Sequence, residues 1–370
     1  DPSEPLPVAV WAESAEQVHV AFDRPVDPRR LSSLDGNPQI EYGRYVREAD
    51  RFESLRPGYA TVEHQAATPR YELPVLGADL SADRRTLILS TDTHPEAVNY
   101  ALTLPAWKRR AQTPSSGAEL AQLSDVDLHY DLGGLSAVWV SRTGAETWTG
   151  WLPHPDLSVS KRMTEGSAAH ERLWKLLKSP GTLRLQTQVN LRDMLRPAVQ
   201  AGSGIDYDWP DETVALVFTS PDTPAVRCSL AASIENKTVD GGHQIELTFP
   251  PGLDEYVPLE IELTATGEPV LNAAFFTVED ARPRPLQLSR FLLPWIRPAE
   301  RGAKTFAPRP PAQLEGGSWA SGRKIFFSEE ALCFKCHKAH GQGGDVGPSL
   351  ANLRHRDYAS VLRDITEPSF

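Results

Sequence analysis

The chain has 370 residues, 40% of them hydrophobic and 24% charged, and a formal net charge of -11. That length calls for two or three globular domains. The acidic balance argues against nucleic acid as a partner, because phosphate binding needs a basic surface, and the sequence has no run of about eighteen apolar residues to span a membrane.

The first third reads as β-structure. Val18, Val20 and Phe22 alternate with His19 and Ala21. Leu87 and Leu89 form a second alternating run, and Val98, Tyr100, Leu102 and Leu104 a third. A period of two places every second side chain on one buried face. Turn signals separate the runs at Pro25-Val26-Asp27-Pro28 and Ser81-Ala82-Asp83. The expectation is a β-sandwich over residues 1–107. The stretch from Val18 to Pro28 resembles bacterial Ig-like domains, where a strand ends in an F-D-x-P-V type of turn. That resemblance implies a docking, glycan-binding or spacer module, and it speaks to fold more than to activity.

Residues 108–281 predict a second β-rich domain with one helix. The helix begins at Ser167 and carries Leu173, Trp174, Leu176 and Leu177, with Glu171 and Lys175 four apart. Pro180-Gly181 ends it. Alternating runs follow at Leu183–Val189, Ile245–Phe249 and Leu259–Leu263, and Asp240-Gly241-Gly242 has the composition of a hairpin turn. Gly150-Trp151-Leu152-Pro153-His154 and Met194-Leu195-Arg196-Pro197 resemble segments of large planctomycete-type haem proteins, without an assigned activity.

These two units offer little for catalysis. His154 with Asp156 could bind a metal or exchange protons, but the surrounding prolines favour an ordered loop. Asp206, Asp208 and Asp211 near Trp209 lack the glycine-bearing loop of a calcium site and read as a solvated acidic turn. Nucleophile-elbow, zinc-protease, P-loop and dinucleotide fingerprints are missing from the sequence. Cys228 alternates onto an apolar side, so a buried core thiol is expected.

Residues 282–316 form a proline-rich linker containing an apolar patch, Phe291, Leu292, Leu293, Trp295 and Ile296. A free tether would not carry such a patch. It is expected to pack against a β-domain or the C-terminal segment.

The most specific motif is Cys333-Phe334-Lys335-Cys336-His337. Two thiols one helical turn apart can each bond to a vinyl group of one porphyrin, and the next residue can ligate its iron. Zinc would draw on Cys333, Cys336 and His340, but no second Cys/His arm accompanies them. A thiol–disulfide motif would sit between a strand and a helix.

Downstream lies Gly341-Gln342-Gly343-Gly344-Asp345-Val346-Gly347-Pro348-Ser349-Leu350. Upstream, Trp319, Gly322, Ile325 and Phe326 share one helical face. Residues 317–370 thereby resemble class I cytochromes c, and more narrowly the short haem-binding domains of planctomycete-type bacteria. The resemblance implies one covalent haem c held by Cys333 and Cys336, His337 on the iron, and Pro348 orienting that imidazole through its carbonyl. Arg354 and Arg356 are candidates to pair with haem propionates.

Members of that family take a later methionine as the sixth ligand. The methionines of this chain are Met163 and Met194, both upstream of the motif. A last helical face, Tyr358, Val361, Leu362 and Ile365, follows a candidate N-cap at Asp357 and stops at Pro368. The expectation is a fragment whose sixth ligand lies beyond residue 370. The alternatives are a five-coordinate iron, or His355 or His340 as the distal ligand.

From Gly317 onward seven Lys and Arg stand against six Asp and Glu, near +1, which leaves the rest of the chain near -12. Such asymmetry can steer a redox partner.

The expected fold class is therefore mainly β: two β-sandwich-like domains followed by a small, truncated α-helical cytochrome c domain. The expected function is that of an exported or periplasmic mono-haem carrier meeting a redox partner protein within a larger, membrane-associated assembly or a longer polypeptide. A non-enzymatic role is expected. A haem sensor or peroxidase-like enzyme with an open sixth site, and a structural subunit, are the alternative classes.

Overall fold

A computed structural model of the chain describes residues 4–32, 38–46, 70–109, 123–192, 194, 212–251, 256–278, 280–297, 319–339, 342–344, 346–347, 350 and 358–367. Its bulk is antiparallel β-structure. The first unit contains β1 (Pro7–Ser14), β2 (Gln17–Phe22), β3 (Gln39–Gly43), β4 (Tyr71–Leu73), β5 (Val75–Leu80), β6 (Thr86–Thr91), β7 (Asn99–Arg109) and β8 (Leu123–Tyr130). They form two four-stranded sheets, ordered β1-β2-β6-β5 and β4-β3-β7-β8. The alternating residues of the sequence, Val18, Val20, Phe22, Leu87, Leu89, Tyr100, Leu102 and Leu104, are buried in one core shared by both sheets. The edge strand β8 is drawn from beyond residue 107 and pairs Leu128 with Leu102.

The second unit contains β9 (Leu135–Ser141), β10 (Thr147–Leu152), α1 (Leu157–Met163), α2 (Ala168–Leu176), β11 (Gly181–Asn190), β12 (Val214–Ser220), β13 (Pro224–Arg227), β14 (Ser233–Val239), β15 (Gly242–Phe249), β16 (Tyr256–Ala265) and β17 (Asn272–Thr277). Two short strands follow, β18 (Arg284–Pro285) and β19 (Phe291–Leu292). One sheet runs β10-β9-β11-β16-β13 with β19 added beside β11, and the other runs β14-β15-β12-β17-β18. Trp139, Leu183, Leu185, Leu216, Phe218, Leu247, Phe249 and Ile261 fill the core between them. The hairpin at Asp240-Gly241 is present, with Val239 paired to Gly242.

Two helices stand where the sequence predicts one. Helix α1 is only seven residues long, too short to reveal an apolar period. It is set by Asp156, whose Oδ1 accepts from the backbone N–H groups of Ser158 (2.9 Å) and Val159 (3.2 Å), an N-cap that satisfies two otherwise unpaired donors. In α2, Glu171 pairs with Arg85 of the first unit at 3.4 Å.

The described part of the linker, residues 282–297, is folded rather than free. Phe291 is buried in the second core, while Leu292, Leu293 and Ile296 are buried in the first. The Gln188 side-chain amide donates to the carbonyls of Leu293 (3.1 Å) and Ile296 (2.6 Å), and Thr187 Oγ1 donates to Leu292 O (3.0 Å). The linker thus fastens the two β-units together, as its apolar patch requires.

A second fastening lies at the opposite end of the chain. Trp11 stacks on Trp151 at 5.7 Å and meets the edge of His170 at 5.0 Å. Arg85 Nη2 donates to Gly166 O at 2.8 Å. Burial lowers both His19 and His170 to about 4, so both imidazoles are neutral in the folded joint. Burial raises the Glu13 carboxyl, against hydrogen bonds from Trp11 and the Trp151 backbone that lower it.

Candidate haem-attachment site

The C-terminal segment contains α3 (Trp319–Phe326), α4 (Cys333–Cys336), β20 (Lys338–Ala339), β21 (Gln342–Gly343) and α5 (Tyr358–Thr366). The helical face predicted around Gly322 and Phe326 lies on α3, and the last predicted face on α5. The cysteine motif forms a single helical turn. His337 N–H closes it by donating to Cys333 O at 2.9 Å, and Lys335 N–H donates to Leu332 O at 3.0 Å. One turn brings the two thiols, three residues apart, to the same side, which the same spacing in an extended strand would not do.

Both thiols are free, Cys333 half-buried and Cys336 exposed. The turn is launched by Leu332, which sits at φ 57°, ψ 11°, a left-handed conformation unusual for a residue with a branched side chain. Such a position costs on the order of 1 kcal/mol or more. Here it turns the chain sharply from the preceding bend into α4. Phe327 lies 6.0 Å from Phe334 and 4.9 Å from Phe326, tying α3 to α4.

The glycine run folds back over the motif. Gly344 N–H donates to Phe334 O (2.7 Å) and Gly347 N–H to Cys336 O (2.6 Å). A Cβ added to Gly347 would stand 2.6 Å from His337 Cε1 and 2.8 Å from Nδ1, and one added to Gly343 or Gly344 would collide with the carbonyls of His337 or Lys335. Only glycine lets the backbone lie this close to the imidazole and the turn. These three glycines brace His337 from its own chain. In the sequence, only the spacing of these glycines behind the motif signals such a role.

Pro348, Arg354, His355, Arg356 and His340 lie outside the described residues, as do Asp206, Asp208, Asp211 and Asp357. Among the described residues no group of three or more His, Cys, Asp or Glu side chains is arranged to hold a metal ion. The residues present do fit a covalently attached porphyrin. Two reduced thiols share one turn, and the following imidazole is backed by main chain. Several apolar side chains of the segment are exposed: Ile325 (61%), Leu332 (39%), Val346 (84%), Leu362 (42%) and Ile365 (71%).

The other sequence candidates are structural. His154 is buried; its Nδ1 accepts from Asp156 N–H (3.0 Å), and its Nε2 faces Leu286 O at 3.2 Å. Both ring nitrogens are therefore engaged in holding the loop, and Asp156 caps α1. Cys228 is half-buried against the second core rather than within it, and burial pushes its thiol pKa up, away from reactivity.

No family model matches the chain, and no curated protein matches it. Among solved structures it is similar to the crystal structure of the S-layer protein rSbsC(31-844), at 11% identity and a TM-score of 0.20, over 76% of this chain and 33% of that one. The chain thus spans about a third of that protein's length, and a likeness this loose carries no argument about fold or function. No helix among the described residues is long and apolar enough to cross a membrane.

Proposed function

We propose that this chain is an exported, mono-haem c-type cytochrome that carries electrons, with its joined β-units serving as the scaffold that presents the haem segment to a redox partner. The observation that carries the reading is local. Cys333 and Cys336 lie on one turn, and His337 follows with its ring against the Gly347 backbone.

The haem, when bound, supplies an iron that gains and loses one electron. Cys333 and Cys336 would hold it as thioethers. His337 would ligate the iron, its ring orientation restricted by Gly347, and a restricted ring limits how far the ligand shifts between oxidation states. Ile325, Leu332 and Val346, exposed on segments joined to the motif, would help shield a bound porphyrin from water, and burial of this kind helps set the potential. Pro348 is the group expected to accept from the His337 ring, and Arg354 and Arg356 to meet the propionates. His355 is a candidate distal ligand. Export follows from the same chemistry, because bacteria attach c-type haem outside the cytoplasmic membrane.

The test is an absorption spectrum of the chain purified from its source, oxidised and then reduced. A low-spin spectrum with a sharp reduced α-band supports the carrier. A high-spin spectrum that shifts with carbon monoxide would replace it with the sensor or peroxidase-like reading. Loss of any Soret band would leave only the scaffold.

A further inference from the structure

The sheet β4-β3-β7-β8 carries one tyrosine on each strand, all in direct register: Tyr71 opposite Tyr42, Tyr42 opposite Tyr100, and Tyr100 opposite Tyr130. Their rings stack across the whole sheet at 5.2, 5.5 and 5.0 Å, with interplanar angles of 28°, 25° and 18°. Tyr42, Tyr100 and Tyr130 are buried, whereas Tyr71 is partly exposed at the sheet edge. Cross-strand aromatic pairs stabilise a sheet, and one such pair would suffice for that. Four in a row form a continuous π-stack from solvent to core.

The inner end of the ladder differs chemically from the rest. Tyr100 donates its hydroxyl proton to Glu96 O at 2.7 Å, a peptide carbonyl that cannot take the proton away. Tyr130 Oη lies 3.1 Å from His94 Nε2, and His94 Nδ1 lies 2.8 Å from Ala15 O. A carbonyl only accepts, so Nδ1 carries the imidazole proton and Nε2 is a lone pair. Tyr130 therefore donates to a buried neutral imidazole that is able to accept a whole proton. Trp295, on the linker, stands 6.0 Å from the same imidazole.

A phenol holds its electron tightly unless its proton leaves in the same event. Burial raises all four phenols above their usual range and lowers His94, which keeps the resting pair as phenol and neutral imidazole. Glu13, His19 and the Arg85–Glu171 pair belong to the joint around Trp11. Glu96, whose charge raises Tyr42, Tyr71 and Tyr100, is the acidic group beside the ladder.

We propose that Tyr130 and His94 form a proton-coupled redox pair reached by an oxidant at the sheet edge: Tyr71, partly exposed there, is oxidised first, releasing its proton to water and regaining it, and the electron from Tyr130 tunnels to it through the stacked rings of Tyr42 and Tyr100, which keep their protons. In the step, a one-electron oxidant of the peroxyl-radical or high-potential metal-complex class takes one electron and is reduced. Tyr130 loses that electron, and its O–H bond breaks with the proton passing to His94 Nε2. The products are a neutral phenoxyl radical and an imidazolium whose Nδ1–H stays on Ala15 O. A one-electron reductant returns the electron, and the proton moves back. The β-unit thereby acts as a reversible sink for oxidising equivalents. The inference stands independently of the haem.

The experiment uses the full chain and photogenerated tris(bipyridyl)ruthenium(III), with freeze-quenched electron paramagnetic resonance as the readout. The expected result is a neutral tyrosyl radical that forms more slowly in D2O and is lost in Tyr130→Phe. An unchanged yield and line shape in Tyr130→Phe would overturn the proposal. The exposed-edge variant Tyr71→Phe, which leaves the core packing in place, provides an independent check. It should slow radical formation several-fold and leave the D2O effect intact. An unchanged rate, or the absence of a D2O effect in the unaltered chain, would also overturn the proposal, even if Tyr130→Phe did not fold.

Discussion

The β-body and the C-terminal segment bury their apolar side chains in opposite ways. In the body, Trp139, Tyr100, Phe22, Phe218 and Phe249 are all under 2% exposed, and two cores account for the packing of both sandwiches. In the segment from Trp319 to Glu367 no described side chain joins either core; Phe326, Phe327 and Phe334 meet one another half-buried, and Ile325, Leu332, Val346, Leu362 and Ile365 are exposed. The body derives its order from side-chain packing. Among the described residues the segment is held by local hydrogen bonds, glycine contacts and the Phe326–Phe327–Phe334 cluster. The lesson is that the two regions should respond to different perturbations, and this separation can be tested.

The largest effect is expected where the segment alone is struck. Replacing both Cys333 and Cys336 with alanine should abolish the Soret band that survives acid–acetone extraction, while the far-ultraviolet β signal of the body and its melting temperature stay unchanged. A fall in that melting temperature would show that the two regions are coupled.

Next comes the linker clasp. Phe291→Ala removes a buried ring from the second core beside Leu292 in the first, and should destabilise the body by about 3–5 kcal/mol, measured by denaturant unfolding. If the clasp joins both units, the two sandwiches will lose stability in one transition rather than one after the other.

Acid should act on the joint around Trp11. The unfolded histidines titrate near 6.5, but His19 and His170 are held to about 4 in the fold. Between those values the unfolded chain binds more protons, so stability is full above 6.5 and declines as the pH falls toward 4. The effect is on the order of 3 kcal/mol for each histidine by the end of that window. The raised Glu13 works in the opposite sense and softens the slope. Replacing His170 with Gln should flatten the decline, and an unchanged slope would assign it to other groups.

Gly347→Ala is a smaller and more local change. Its methyl group must displace the His337 ring, so the haem spectrum or midpoint potential should shift while the body's melting temperature does not. At the bottom of the scale, Arg184→Ala removes one exposed partner shared by Glu260 and Glu262, with Arg227 still on Glu260, and should leave the melting temperature unchanged, as exposed surface pairs contribute little.

Much of the body was legible because strand burial follows a local period. Val18-Val20-Phe22, Leu183-Leu185 and Ile245-Leu247-Phe249 announce their buried faces within a few residues, and each lies in a strand. What stayed hidden depends on distant partners. Nothing near Leu123 says that this stretch completes the first unit's second sheet, and nothing near Phe291 says that it will lie beside Val189. Helix α1 was invisible for another reason: an N-cap and a polar seven-residue turn leave no period to read. At the candidate site, the cysteines and His337 were legible because their chemistry depends on spacing alone. The bracing by Gly347 was not, because it arises from a loop folding back, and the positions of Pro348 and the arginines lie outside the described residues.

The burial of Leu292, Leu293 and Ile296 in the first core has a consequence for how the chain is made. A ribosome releases the amino-terminal strands long before it reaches these residues. The first unit can assemble its sheets early, but its core stays open until the linker has emerged, by which time the second unit has also been synthesised. Closure of both units thus falls late in translation, as a long-range event of the kind that slows folding, and a nascent chain stopped before the linker would present unfilled apolar surface to chaperones.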